Sequence, residues 1–279
     1  MNKTNPLRQY FRQPAIYVKL PSQGKNYPAG TLNIPATGEL PVYPMTAIDE
    51  ITYRTPDALF NGQATVNVIQ SCVPDIKDAW AVPSIDVDTL LVAIRIATYG
   101  HEMNFETTCP KCQHESERVM DMRTVLDTIG SADYGQTIRT GDMEIFFKPL
   151  SYKNMNDNNQ MQFESQKLLS GLPDNELPDA AKMSALGDAL KKITEITVSA
   201  MSQSIAAIKT PQALVSEPEF IREFLTNCDR IVFNQIRDFI VDLKTKSEMQ
   251  PLKIACSDCQ HEYEQSITLD MTSFFASAS

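Results

Sequence analysis

Short alternating apolar runs open this chain, helical periods follow, and strand-like runs return around two cysteine pairs. Near the start, apolar runs at 16–20, 31–34 and 40–43 are separated by turn-rich segments. Pro35-Ala36-Thr37-Gly38-Glu39 lies between the last two and predicts a small β-hairpin there. From 47 to 100 the period becomes helical. Thr55-Pro56-Asp57 reads as a cap followed by proline at the first helical position, with Asn61-Gly62 as its end. Val66, Ile69 and Val73 recur at helical spacing. Leu90, Leu91, Ile94 and Ala97 line a longer helix, with Asp86 and Asp88 at its positive end and Gly100 as a left-handed stop. Cys72 ends an apolar stripe and is read as a buried structural thiol.

Alternation around Thr140-Gly141-Asp142 predicts a second hairpin within 137–150, after which the pattern is helical for roughly a hundred residues. The stretch 152–170 is polar and Asn-rich, and 171–178 reads as a loop. Met183, Leu186, Leu190, Ile193, Val198, Met201, Ile205 and Ile208 predict one helix from 179 to 208. A second long helix opens at Ser216-Glu217-Pro218-Glu219, a capping-box match, and carries Ile221, Leu225, Cys228, Val232, Ile236, Phe239 and Leu243 on one side. Joined through 210–215, the two form an antiparallel helical hairpin whose stripes make a mutual core that includes Cys228.

Composition narrows the function. The 279 residues carry 25 basic and 35 acidic side chains, a net charge of −10, which argues against a chain whose whole surface is a phosphate-binding face. The longest apolar run, 90–94, is far too short to span a membrane. Arg8, Arg12 and two prolines stand where an export signal needs an apolar stretch, so a reducing compartment is expected. The loop 21–28 contains Gly24-Lys25 but lacks the upstream glycine of a phosphate-binding loop, and is read as a surface turn.

The six cysteines and three histidines change the picture most. Four cysteines form Cys109-Pro110-Lys111-Cys112 and Cys256-Ser257-Asp258-Cys259, and His101, His114 and His261 lie beside those pairs. A histidine-dependent nucleophilic site could therefore be built only next to the cysteines. The nine residues from Cys109 match the nine from Cys256 at six positions, including the Gln-His-Glu after the second cysteine. Strand-like runs flank each copy, which is the pattern of a zinc knuckle. Two knuckles supply four thiolates, the closed tetrahedral shell of structural zinc. Cys109, Cys112, Cys256 and Cys259 are thus the expected metal ligands, with no catalytic residue and no other cofactor. The intervening 143 residues are tolerable, because loop-closure cost grows only logarithmically. Dithiol redox chemistry and an iron–sulfur cluster are the competing readings; the first lacks a βαβ context. His114 and His261 are read as solvated turn residues, with outer hydrogen bonding as the alternative.

The fold expected is α+β, divided into five parts. These are a Pro-rich β arm (1–46), a helical region (47–100), a first knuckle half with hairpin (101–150), an inserted helical domain (151–249), and a second knuckle half with a tail (250–279). The ribbon is thereby split around an inserted α-helical hairpin.

Between 20 and 112 the chain resembles baseplate hub and tail assembly proteins of contractile-tailed bacteriophages, T-even-like and Mu-like. The blocks carrying the likeness are Leu20-Pro-Ser-Gln-Gly-Lys-Asn-Tyr27, Met45-Thr46 with Asp49-Glu50, and Thr55-Pro-Asp-Ala-Leu-Phe-Asn-Gly62. Val68-Ile-Gln-Ser-Cys72-Val73 and Leu90-Leu-Val-Ala-Ile-Arg-Ile-Ala-Thr-Tyr-Gly100 follow, leading into Cys109-Pro-Lys-Cys112. The resemblance implies a non-enzymatic protein that helps build the baseplate hub, as chaperone or scaffold for hub or tape-measure components. Its implied partners are other tail and baseplate proteins, with neither nucleic acid nor membrane. It would work in the host cytoplasm during assembly, and its retention in the virion baseplate is left open. A nucleic-acid-binding zinc ribbon is the rival from another class. It is opposed by Glu106, Glu115, Glu117, Asp258, Glu262 and Glu264 around the knuckles, against Lys111, Arg118 and Lys253.

Overall fold

The computed structural model describes residues 5–53, 62–130, 132–170 and 179–265. It is a mixed α+β structure with small antiparallel sheets. The chain forms two compact units, one of residues 1–79, 85–130 and 248–279, the other of 80–84 and 131–247.

In the first unit, β1 (Ile16–Val18) pairs antiparallel with β2 (Leu40–Val42) in the register Ile16↔Val42 and Val18↔Leu40. The expected hairpin between 31–34 and 40–43 is therefore corrected. Val18, Leu40 and Val42 are buried, whereas Ile34 is exposed and Leu32 makes only a lone bridge to Ile76. Burial on one face selects the β1–β2 pairing. The turn at 35–38 does form, with the Gly38 amide donating to the Pro35 carbonyl.

Helix α1 (Ala47–Tyr53) begins with a reciprocal cap: the Thr46 amide donates to Asp49 Oδ2 at 2.8 Å, and the Asp49 amide donates to Thr46 Oγ1. The short helix expected from Thr55-Pro56-Asp57 lies outside the described residues. Helix α2 (Gln63–Cys72) buries Val66, Val68, Ile69 and Cys72. Arg12 fastens the N-terminal arm to this pair through the Ser71 carbonyl at 2.7 Å, Ser71 Oγ at 2.9 Å and Asp49. Helix α3 (Ser84–Tyr99) buries the whole run 89–96 and so runs through the core rather than over it. Gly100, at φ 87°, ends it by donating to the Ile96 carbonyl.

Strands β3 (Glu102–Thr108) and β4 (Glu115–Asp121) form a seven-pair hairpin around the first cysteine pair. The short helix α4 (Met122–Thr128) follows, capped by the Asp121 carboxylate on the Arg123 amide. The chain leaves this unit after Gly130 and re-enters at Glu248. An antiparallel bridge between Ile129 and Met249 sets the exit beside the re-entry. That places the second hairpin, β9 (Leu252–Ala255) with β10 (Glu262–Gln265), within the unit that holds the first.

The second unit is built on a four-stranded antiparallel sheet in the order β5 (Thr137–Thr140), β6 (Met143–Phe147), β7 (Ile205–Lys209), β8 (Leu214–Val215). The expected hairpin at 140–142 forms, with Gly141 at φ 57°. Helices α5 (Tyr152–Ser170), α6 (Asp179–Ser204), α7 (Pro218–Asn227) and α8 (Arg230–Ser247) complete it. Ile145, Phe147, Val198, Met201, Ile205, Ile208, Ile221, Leu225, Ile236 and Leu243 share its core.

The inserted unit is thus more than a helical hairpin, and two expectations are corrected here. The helix read from 179 to 208 stops at Ser204, because 205–209 is strand β7. Its pairing with β6 slips between Phe146↔Ala207 and Phe147↔Ile205, a bulge that puts one extra residue, Ala206, on β7. Ile205 and Ile208, three apart, are consequently both buried, a spacing that imitates a helix. The helix read from 216 onward is two helices. Cys228 is extended and half-buried at the end of α7, and Asp229 Oδ1 accepts from the Ile231 and Val232 amides to start α8. The link at 210–215 is a tight β-hairpin turn, with Thr210 donating to the Ala213 carbonyl.

Candidate metal centre

Each cysteine pair sits on a turn between two strands, and both turns are built alike. In the first, the Cys109 amide donates to the His114 carbonyl at 3.0 Å and the Gln113 amide to the Cys109 carbonyl at 2.9 Å. In the second, Cys256 donates to His261 at 2.9 Å and Gln260 to Cys256 at 3.1 Å. Gln113 and Gln260 both adopt left-handed backbone, at φ 59° and 55°. The sequence repeat is therefore a structural repeat.

The turns bring all four sulfurs together. Cys109 Sγ lies 3.7 Å from Cys259 Sγ, Cys112 Sγ lies 3.6 Å from Cys256 Sγ, and the four atoms all fall within 4.8 Å of one another. A tetrahedral zinc with Zn–S bonds of about 2.3 Å requires sulfurs about 3.8 Å apart. The donor set fits such an ion. Cys109 and Cys256 are buried, and Cys112 and Cys259 half-buried.

Electrostatics sort the sulfurs into unequal partners. Burial opposes ionisation of Cys109, but the amides of Cys112 and Lys111, with the neighbouring thiols, outweigh it and bring its pKa down to about 7. The Cys259 amide, joined by that of Asp258, holds Cys256 below its ordinary value against burial. Cys112 accepts the His114 amide, which favours its thiolate. Burial and the sulfurs of Cys259, Cys109 and Cys256 prevail, pushing it up to about 12. Four close thiols thus resist becoming four thiolates unless a cation neutralises them.

Two contacts between the hairpins were not legible from the cysteine spacing. Arg118 Nη2 donates to the Ala255 carbonyl, and Tyr263 OH donates to Thr107 Oγ1 at 3.0 Å. Tyr263 stands where the first knuckle has Ser116, so the mismatch in the repeat was the available signal. His114 is an exposed turn residue, while His261 is half-buried and stacks on Tyr263 at 6.5 Å.

A second buried polar cluster explains the first block of family-like residues. Asp86, fully buried in the first turn of α3, accepts from the Ser22 amide at 2.8 Å, Ser22 Oγ at 2.5 Å and Tyr27 OH at 2.9 Å. The segment 21–28 exposes Gln23, Lys25 and Asn26 but turns Ser22 and Tyr27 inward, so it clasps the helix rather than forming only a surface turn. Gly24 sits at φ 77°, where a Cβ would come within 2.0 Å of Ile34 Cδ1. Burial raises the pKa of Asp86 against its three hydrogen bonds, and burial beside Asp86 raises that of Tyr27.

These features define a class: an α+β protein whose two cysteine turns bracket a second compact unit in the sequence and converge on one four-thiol cluster. The chain belongs to the T4 bacteriophage base plate protein family, whose family model matches residues 17–276. No curated protein and no solved structure matches it. Among the described residues, no helix is long and apolar enough to cross a membrane.

Proposed function

We propose that the protein is a non-enzymatic assembly component of the phage baseplate hub. It acts as chaperone or scaffold for hub or tape-measure proteins, and a structural zinc on Cys109, Cys112, Cys256 and Cys259 fixes its ribbon. The observation that carries this reading is the convergence of four sulfurs from two like turns at zinc spacing, in a chain of a baseplate family. Four protein thiolates close the coordination shell, which suits architecture rather than chemistry at the metal. The N-terminal arm supports a binding role. Leu7, Tyr10 and Phe11 are 61%, 77% and 54% exposed, and Arg12 anchors the arm just behind them. Three large apolar side chains exposed within five consecutive residues offer a contact surface for another protein.

Affinity capture from infected cells tests the role. The intact chain is expected to recover tail or hub proteins, and a Leu7→Ser, Tyr10→Ser, Phe11→Ser variant to lose them while keeping its metal and melting temperature. Recovery of no tail protein by the intact chain overturns the reading. Its presence in purified tails would separate a retained baseplate component from a transient chaperone. The rival nucleic-acid reading meets an acidic hairpin surface: Glu102, Glu106, Glu115 and Glu117 are all exposed on β3 and β4.

A further inference from the structure

We propose that the four-sulfur cluster is also an oxidative modification site. A hydroperoxide converts Cys109 with Cys259, and Cys112 with Cys256, into two disulfides that run from one knuckle to the other. Its starting state rests on the zinc reading above. Sulfurs already facing each other at 3.7 and 3.6 Å need only close to about 2.0 Å to bond. Each crossing pair joins a half-buried cysteine, Cys259 or Cys112, to a buried one, Cys109 or Cys256. The Arg118–Ala255 and Tyr263–Thr107 hydrogen bonds keep the hairpins opposed as the metal departs.

The chemistry closes. In the zinc-loaded chain all four sulfurs would be thiolates; that of the half-buried cysteine attacks a peroxide oxygen, the O–O bond breaks, and the sulfur becomes a sulfenic acid while hydroxide leaves as water after protonation. The buried thiolate then displaces hydroxide from that sulfur and forms the S–S bond. Per pair, two thiolates, one hydrogen peroxide and two protons give one disulfide and two waters. The sulfurs lose two electrons and the peroxide gains them. Oxidation of both pairs releases the zinc. A covalent staple then replaces the metal staple between positions 150 and 144 apart in sequence.

The test treats the full zinc-loaded chain with hydrogen peroxide in the absence of reductant. Released zinc, remaining thiols and disulfide connectivity are measured, with cleavage after Lys111 and before Asp258 separating the members of each knuckle. The expected result is zinc release with loss of four thiols, and crossed peptides joined 109–259 and 112–256. The oxidised chain should also melt above the chelated, reduced one. Disulfides within each knuckle, arrest at sulfinic or sulfonic acid, or zinc retained with thiols intact under excess peroxide would overturn the proposal. Zinc content before oxidation tests the metal reading separately; a chain without zinc fails that reading, and its connectivity after peroxide still decides this one.

Discussion

The left-handed glutamines at 113 and 260 show how much a single backbone position contributes to the knuckle. Each holds a φ that costs an L-residue about 1–2 kcal/mol, and each side chain reaches back toward a carbonyl in its own turn, Pro110 or Ser257. Gln113→Gly is expected to hold or raise the unfolding midpoint, whereas the β-branched Gln113→Val should lower it, read by denaturant titration. At the sulfurs, Cys109→Ser or Cys256→Ser should abolish metal binding and destabilise the fold. Cys72→Ser should leave metal content unchanged, because Cys72 lies in the core beside Arg12 and Asp49, its thiol pushed up to about 12 chiefly by burial. Equal metal loss in all three would contradict the ligand set. Asp86 gives a pH signature. Its raised pKa means that the folded state binds its proton more tightly than the unfolded chain. This carboxyl therefore favours folding most below its ordinary 3.8, and that contribution is lost as pH rises through the raised value. Asp86→Asn should flatten that decline in a pH series of denaturation curves; an unchanged slope would show that Asp86 is not its source.

Elements record where sequence periodicity sufficed and where it failed. Helix α3 was legible because its apolar residues, its acidic first turn and Gly100 all agree. The cysteine turns were legible because the spacing was duplicated with its flanks. Strand β7 was not, since the bulge at Ala206 puts Ile205 and Ile208 on one face with a helix-like spacing of three. Nor was the break between α7 and α8, because Asp229 caps a new helix without interrupting the apolar stripe. The clasp of Ser22 and Tyr27 on Asp86 joins residues some sixty positions apart, a distance over which local pattern carries no information. Asp229→Ala should lower stability by about 1 kcal/mol and fray the start of α8, visible as faster amide exchange at Ile231 and Val232. Unaltered exchange there would mean that the cap is not what starts the helix.

In the whole molecule, two stretches of the first unit, separated in sequence by the second, meet at the four-sulfur cluster, and the proposed zinc would tie them together. Structural zinc supplies on the order of 10 kcal/mol to the fold that holds it. Chelation should therefore remove amide protection from β3, β4, β9 and β10 while β5, β6 and β7 remain protected. Metal affinity should also weaken with acidification, since protons compete for the four thiolates. Much of the chain's acidic balance, −10, falls on the ribbon itself, which opposes contact with phosphate backbones there. The most direct test is elemental analysis of the purified chain with thiol counting before and after chelation, at a solution mass measured in parallel. One zinc per monomer, with four thiols unmasked when it is removed, is the predicted result. A chain without metal, or one whose thiol count is indifferent to the chelator, would contradict it.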